Sequence, residues 1–194
     1  MSTHPRDSTF PVRHTAELHK GRVSLCEATY FLTCCAVRPT SRLTNTVVAS
    51  EISETIEKLV HVGDIRPICF TIMPDHIHAL VILTGKLRIG QVVGKFKAIT
   101  RTGLASAGSR WQQDFYDHRL RPDEQAGSFA RYIFLNPYRA GLIARNQLWA
   151  HWRIWPDVEL DFLDQLKKDR YPPAEWLDAD LVELELSAES VGAD

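Results

Sequence analysis

The chain has 194 residues, 44% of them hydrophobic and 24% charged, which is the composition of an ordinary folded protein and excludes a collagen, a coiled coil or a chain disordered throughout. That length fits one domain with an extension. The formal charge of −1 hides a division: residues 1–156 carry 20 Lys and Arg against 12 Asp and Glu, whereas residues 157–194 carry 3 against 12. A basic body attracts polyanions, nucleic acid first among them, and an acidic end is either a solvated appendage or a competitor for the same basic surface.

No apolar run approaches the roughly 18–20 residues of a spanning helix, so no membrane partner is expected. The polar start, Met1 to Asp7, lacks the apolar segment of a secretory signal, and a cytoplasmic location is expected. Cys26, Cys34, Cys35 and Cys69 then read as reduced residues, mostly small and buried, without the C-x-x-C spacing of a zinc site.

In chain order, residues 1–24 mix Pro, His, Arg and Ser without periodicity and read as an irregular basic arm. Tyr30 to Val37 is β-rich and closed by the turn signal Arg38-Pro39, giving the first strand. From Thr46 to His61 the apolar residues fall at helical intervals, with Gly63 beyond as a stop. Ile65 to Met73 and Ile77 to Leu83 are β-branched runs joined by Pro74-Asp75, an antiparallel pair. Ile89 to Leu104 returns to helical spacing, with a basic face that includes Lys95 and Lys97. Trp111 to His118 is a short aromatic strand, and a helix opens at Pro122-Asp123-Glu124 and runs to Asn136, where Pro137 is expected to stop it. The order β-α-β-β-α-β followed by a further helix predicts an α+β protein with a ferredoxin-like split βαβ sheet and helices on one face. Residues 25–156 form this domain. Residues 157–194 form an acidic extension with a helix from Val158 to Lys168.

Two places carry chemistry. In Met73-Pro74-Asp75-His76-Ile77-His78 the histidines are i and i+2 on a strand, hence on one face, where they are either polar residues on an open sheet or two imidazoles sharing one divalent ion. In Tyr132-Ile133-Phe134-Leu135-Asn136-Pro137 the tyrosine and asparagine are i and i+4 on a helix. They are either a core aromatic and a helix C-cap, or a nucleophilic phenol beside an amide oxygen able to ligate a metal. Taken together, an ion held by two His and one further oxygen leaves open positions for a phosphodiester, which a neighbouring tyrosine can attack.

These two motifs, Met73 to Val81 and Tyr132 to Leu142, resemble those of the HUH-type single-tyrosine transposases, specifically the REP-associated branch with an IS200-like transposase domain. Looser similarity lies in Lys95-Phe96-Lys97 and in Asp117-His118-Arg119-Leu120-Arg121, and the similar region spans about Tyr30 to Leu142. The resemblance implies that His76 and His78 bind Mg2+ or Mn2+ with Asn136 as third ligand. It makes Tyr132 the nucleophile of a single-stranded DNA endonuclease and strand transferase, which cuts beside imperfect palindromic hairpins through a 5′-phosphotyrosine. Lys97, Arg119 and Arg121 are candidates for phosphate contacts. Asp75 stands where an Asn is also familiar. Beyond Leu142 the similarity thins, and Trp149, Trp152 and Trp155 either stack on unpaired bases or pack the C-terminal segment onto the domain.

Two other readings stay open from the sequence: a domesticated module that binds DNA hairpins without cutting them, and a metal-dependent hydrolase in which water replaces tyrosine. Monomer and homodimer are equally compatible with the residues, since the tyrosine helix can serve its own site or be exchanged.

Overall fold

The computed structural model describes residues 24–37, 42–166 and 170–178. The arm over residues 1–23, the last part of the predicted Val158–Lys168 helix and the end of the acidic extension lie outside the described residues.

Near-continuous apolar runs, buried on both faces, build three strands, β1 (Thr29–Cys35), β2 (Ile65–Ile72) and β3 (His76–Leu83). β3 pairs antiparallel with β1 on one side and β2 on the other. With β4 (Tyr116–Arg119) beside β1 and β5 (Trp152–Ile154) beside β2, the sheet order is β4-β1-β3-β2-β5. The first four strands in this order, with α1 (Thr46–His61) joining β1 to β2 and α2 (Ile89–Ile99) leaving β3, make the split βαβ predicted from the element order.

Helix α1 begins where the Asn45 side chain accepts a hydrogen bond from the Val47 amide. It ends where Gly63, at φ +71°, lets the Asp64 and Gly63 amides reach back to the carbonyls of Leu59 and Val60. Its buried stripe of Val48, Ile52, Ile56 and Leu59 meets Ile89, Val92, Val93 and Phe96 of α2 and one face of the sheet, Leu32, Cys34, Phe70, Ile72, Ile77 and Val81. The opposite face, Phe31, Ile68, Cys69 and Leu80, is covered by α4 (Ala126–Arg139) through Phe129, Ala130, Ile133, Phe134 and Leu135. The two helices of the split βαβ unit thus share one face as expected, and the tyrosine helix takes the other.

Several details depart from the sequence reading, among them the start of α4 at Ala126 instead of Pro122 and of the helix in the extension at Asp161 instead of Val158. The predicted second helix breaks into α2 and α3 (Arg101–Ser106) at Thr100, which is buried. The Thr100 hydroxyl donates to the Phe96 carbonyl and accepts from the Trp111 indole N–H at 2.8 Å, so a side chain takes over where the helix turns. The predicted Trp111–His118 strand is only half formed: Trp111 bridges Ala36, and regular pairing resumes at Tyr116. The interruption exposes the carbonyls of Gln112, Gln113 and Asp114, and the Lys97 ammonium donates to all three at 2.8–3.2 Å while lying over the Phe115 ring.

Pro137 does not stop α4 at Asn136. The helix continues to Arg139 and closes only at Gly141, φ +67°, where the Leu142 amide donates to the Pro137 carbonyl and the Gly141 amide to that of Tyr138. A proline removes one amide donor, but here the residues after it still close their turns, and Pro137 is itself buried against the core. Finally, Trp152 to Ile154 form an edge strand, three residues being too short to leave a periodic signal. Trp149 donates its indole N–H to the Ile72 carbonyl, Trp152 packs on Phe134, and Trp155 on Phe70 from the other face of the sheet. The described part of the C-terminal region includes α5 (Asp161–Asp164) and α6 (Glu175–Asp178), and it packs Phe162 and Trp176 onto the α4 side of the sheet.

Candidate active site

Strand parity decides which residues meet. His78 is paired in register with Thr33 of β1 on one side and Thr71 of β2 on the other, and Thr33 in turn faces Tyr116 and Thr71 faces Trp152. Directly opposed residues share a face, so one row runs across the whole sheet as Tyr116, Thr33, His78, Thr71, Trp152, beneath α4. Ile77, between the histidines, goes to the other face and its apolar core.

The imidazoles of His76 and His78 turn toward each other, with their Nε2 atoms 3.1 Å apart. Their other nitrogens are held from outside. His76 Nδ1–H donates to Asp75 Oδ1 at 2.7 Å, and His78 Nδ1 meets Thr33 Oγ1 at 2.9 Å. A hydroxyl can accept as well as donate, so Thr33 suits either tautomer of His78. When Thr33 accepts, both Nε2 lone pairs are free and face the same point. Two nitrogens at about 2.1 Å from one ion and at right angles to each other stand about 3 Å apart, so the observed separation suits a shared divalent ion. Imidazoles pinned by a carboxylate and a hydroxyl are also the usual support of metal-binding histidines. Among the described residues no group of three or more His, Cys, Asp or Glu side chains could hold a metal.

His78 is buried, and burial first, then the neighbouring His76, hold its imidazole well below the usual histidine range, while Asp75 pulls the other way. It is therefore neutral at pH 7, the form that offers a lone pair. Its ring stacks on Phe31 at 5.3 Å between centroids and meets Tyr132 edge-on at 5.5 Å. Phe31 is the platform of the site: it also touches Tyr116, Phe129 and, at 5.9 Å, Tyr132. The ring of Tyr132 is thus brought by α4 against His78 of its own chain, and its hydroxyl makes no hydrogen bond among the described residues. Asn136 lies half-buried one turn later on the same helix face, its position inside the helix and not at its end following from the continuation through Pro137.

The three basic residues singled out in the sequence have different surroundings. Lys97 gives its donors to the three carbonyls of the interrupted strand, and burial lowers its ammonium below the ordinary lysine range. Arg119 and Arg121 are exposed, on β4 and just after it. His118, which the sequence reading quotes only within the looser similarity and gives no role, stands opposite Phe31, stacks on Phe129 at 5.6 Å and bonds Glu124 at 2.8 Å. It ties the end of β4 to the start of the tyrosine helix. Thr33 was also missed, although its place opposite His78 follows once the register of β1 and β3 is known.

Residues 24–120, half of the chain, match the family described as Transposase IS200 like. The chain belongs to the IS200-like transposase family. In this IS200-like transposase the matched span contains His76 and His78 and ends before Tyr132. Among solved structures, a REP-associated tyrosine transposase bound to a REP hairpin is similar with a TM-score of 0.58 at 18% identity, over 78% of this chain and 86% of that one. This likeness shows the fold. A candidate transposase from Deinococcus radiodurans R1 aligns at 18% identity with a TM-score of 0.42, over 64% of this chain and 98% of that one. No curated protein matches the chain. Among the described residues no helix is long and apolar enough to cross a membrane.

Proposed function

We propose that this IS200-like transposase is a metal-dependent endonuclease and strand transferase for single-stranded DNA carrying imperfect palindromic hairpins, with Tyr132 as its nucleophile. The observation that carries this reading is the contact of the Tyr132 ring with His78, whose Nε2 faces that of His76. The hairpin as partner is drawn from the similar structure bound to one, and single-stranded DNA from the family resemblance.

His76 and His78, with the Asn136 amide oxygen as third donor, are the residues that would hold Mg2+ or Mn2+. Bound there, the ion supplies Lewis-acid polarisation of the scissile phosphate. The chain's own residues do the rest. Asp75 and Thr33 fix the imidazole planes, and Phe31 holds the Tyr132 ring beside them. The phenol oxygen attacks phosphorus, an Oη–P bond forms, and the P–O3′ bond breaks with its electron pair on O3′. The phenol proton is released and O3′ takes one up, so a 5′-phosphotyrosine and a free 3′-OH result. Attack by that or another 3′-OH reverses the exchange, which conserves bond energy without a high-energy cofactor. Tyr132 touches His78 of its own chain, and the chemistry is assigned here to one chain.

The test is a denaturing gel of protein incubated with labelled single-stranded DNA bearing the palindromes that flank its gene, in Mn2+ or in EDTA. A metal-dependent covalent adduct that disappears in Tyr132→Phe is expected. Tight binding with neither cut nor adduct would favour a domesticated hairpin-binding module, and cleavage without adduct a water-using hydrolase.

A further inference from the structure

Because α4 runs on through Pro137, Arg139 is still helical, at i+7 from Tyr132 and i+3 from Asn136. Residues at these intervals share one stripe of a helix, and long helical side chains lean toward the N-terminus, so the guanidinium reaches back along the stripe that carries the tyrosine. Its surroundings are unusual. Nη2 donates to the Trp176 carbonyl at 3.3 Å, and Arg131 lays its own guanidinium over the Trp176 indole at 5.4 Å. Nη1 is removed from solvent and, among the described residues, has no acceptor at all. A buried donor on a charged group left without a partner is unfavourable, and an incoming anionic oxygen would relieve it. The groups acting on this cation are few. Burial pushes it below the ordinary arginine range, the Tyr132 phenol opposes that, and Arg131 adds to it. The other basic candidates are differently disposed: Lys97 has its donors occupied, and Arg119 and Arg121 are exposed.

We propose that Arg139, its side chain turning from the Trp176 carbonyl to uncover Nη1, donates a hydrogen bond to a non-bridging oxygen of the phosphate that Tyr132 attacks, and holds that phosphate against the phenol before and after the covalent bond forms. This rests on Tyr132 as nucleophile. Arg139 stays protonated throughout and exchanges no atom: the Oη–P bond forms, the P–O3′ bond breaks, and the guanidinium only balances the charge that collects on the equatorial oxygens. The competing role is purely structural, a fastening of residues 170–178 through the Trp176 carbonyl.

The experiment uses the full chain, Mn2+ and hairpin-bearing oligonucleotides with either a natural phosphodiester or one of the two methylphosphonate diastereomers at the cleaved position. Rates of adduct formation are measured for the wild-type chain, Arg139→Ala and Arg139→Gln. Loss of one such donor is expected to slow adduct formation about 100-fold on the phosphodiester. On the diastereomer whose contacted oxygen is replaced by methyl, wild type and variants should differ by less than about threefold, because the acceptor is already gone. Each variant is compared with itself across linkages, so partial unfolding, which slows all linkages alike, does not imitate this result. Arg139→Gln keeps a donor for the Trp176 carbonyl and should show the same linkage-specific loss. Equal slowing on every linkage, or no slowing, overturns the proposal while leaving Tyr132 in place. Absence of an adduct from the wild-type chain on the phosphodiester overturns the nucleophile assignment and this proposal with it.

Discussion

The two faces of the sheet are made by alternate residues of the same strands, yet they differ in kind. The face under α1 and α2 is apolar, from Leu32 and Cys34 to Ile77 and Val81. The face under α4 mixes the core residues Phe31, Leu80 and Cys69 with the polar row Thr33, His78 and Thr71. Both faces bury apolar area, but the α4 face also takes in polar groups, of which His78 is held by Thr33 while the Thr71 hydroxyl is buried with no hydrogen-bond partner among the described residues. The difference shows how a period of two lets a short strand such as β3 hold a fold and a site together, one residue for each in turn.

The comparison breaks most clearly at Tyr132. Tyr132→Phe removes one oxygen that makes no hydrogen bond among the described residues, so the covalent adduct should vanish while urea unfolding changes by less than about 1 kcal/mol. The mirror experiment is Ile52→Ala on the apolar face. Ile52 is fully buried, and its truncation should cost about 2–5 kcal/mol in urea unfolding with adduct formation per folded molecule unchanged. If Ile52→Ala slowed the folded enzyme, the faces would not be separable. A sharper cut within the polar face is Thr33→Val, which deletes the hydroxyl on His78 Nδ1 and should weaken Mn2+ binding about 10–100-fold by calorimetric titration.

Lys97→Met tests whether that ammonium serves fold or DNA. Three carbonyls lose their donor, so stability should fall by about 1–3 kcal/mol, whereas the salt dependence of DNA binding should keep its slope. A slope reduced by about one would make Lys97 a phosphate contact. The smallest effect concerns pH. Burial and His76 depress His78, so between its folded value and the free value near 6.5 the unfolded chain binds a proton that the folded chain refuses. Stability of the metal-free protein is therefore full above about pH 6.5 and falls as pH drops below it, by up to about 1.4 kcal/mol per pH unit. Melting in EDTA at pH 7.5 and 5.5 should show this loss in the wild type and less of it in His78→Gln.

Much of the arrangement is legible in the sequence. β-branched runs, the helical stripe of α1 and Gly63 report local preferences that packing did not override, and the parity of His76 and His78 follows from strand geometry alone. The i, i+4 relation of Tyr132 and Asn136 required only that the segment be helical. The end of that helix was not legible. Pro137 is a strong local stop signal, but the following turns close and Gly141 supplies the actual end, which keeps Arg139 on the helix. β5 escaped because an edge strand of three residues draws its stability from β2 and Trp149, not from its own pattern. The helical basic face credited to Lys97 was read from spacing, and only the broken strand beside it gives the ammonium its three acceptors.

The order of elements, the α+β class and the sets of side chains that share a face follow from the amino-acid sequence, because these depend on periods of 2 and 3.6 and on residues near in the chain. Tertiary structure alone decided that the tyrosine helix takes the opposite face from α1 and α2, that Tyr132 meets His78 across 54 positions of sequence, and that Thr33 and Asp75 complete the imidazoles. Such meetings depend on strand register and helix docking, which are settled by the joint burial of residues far apart in the chain, and no local pattern encodes them.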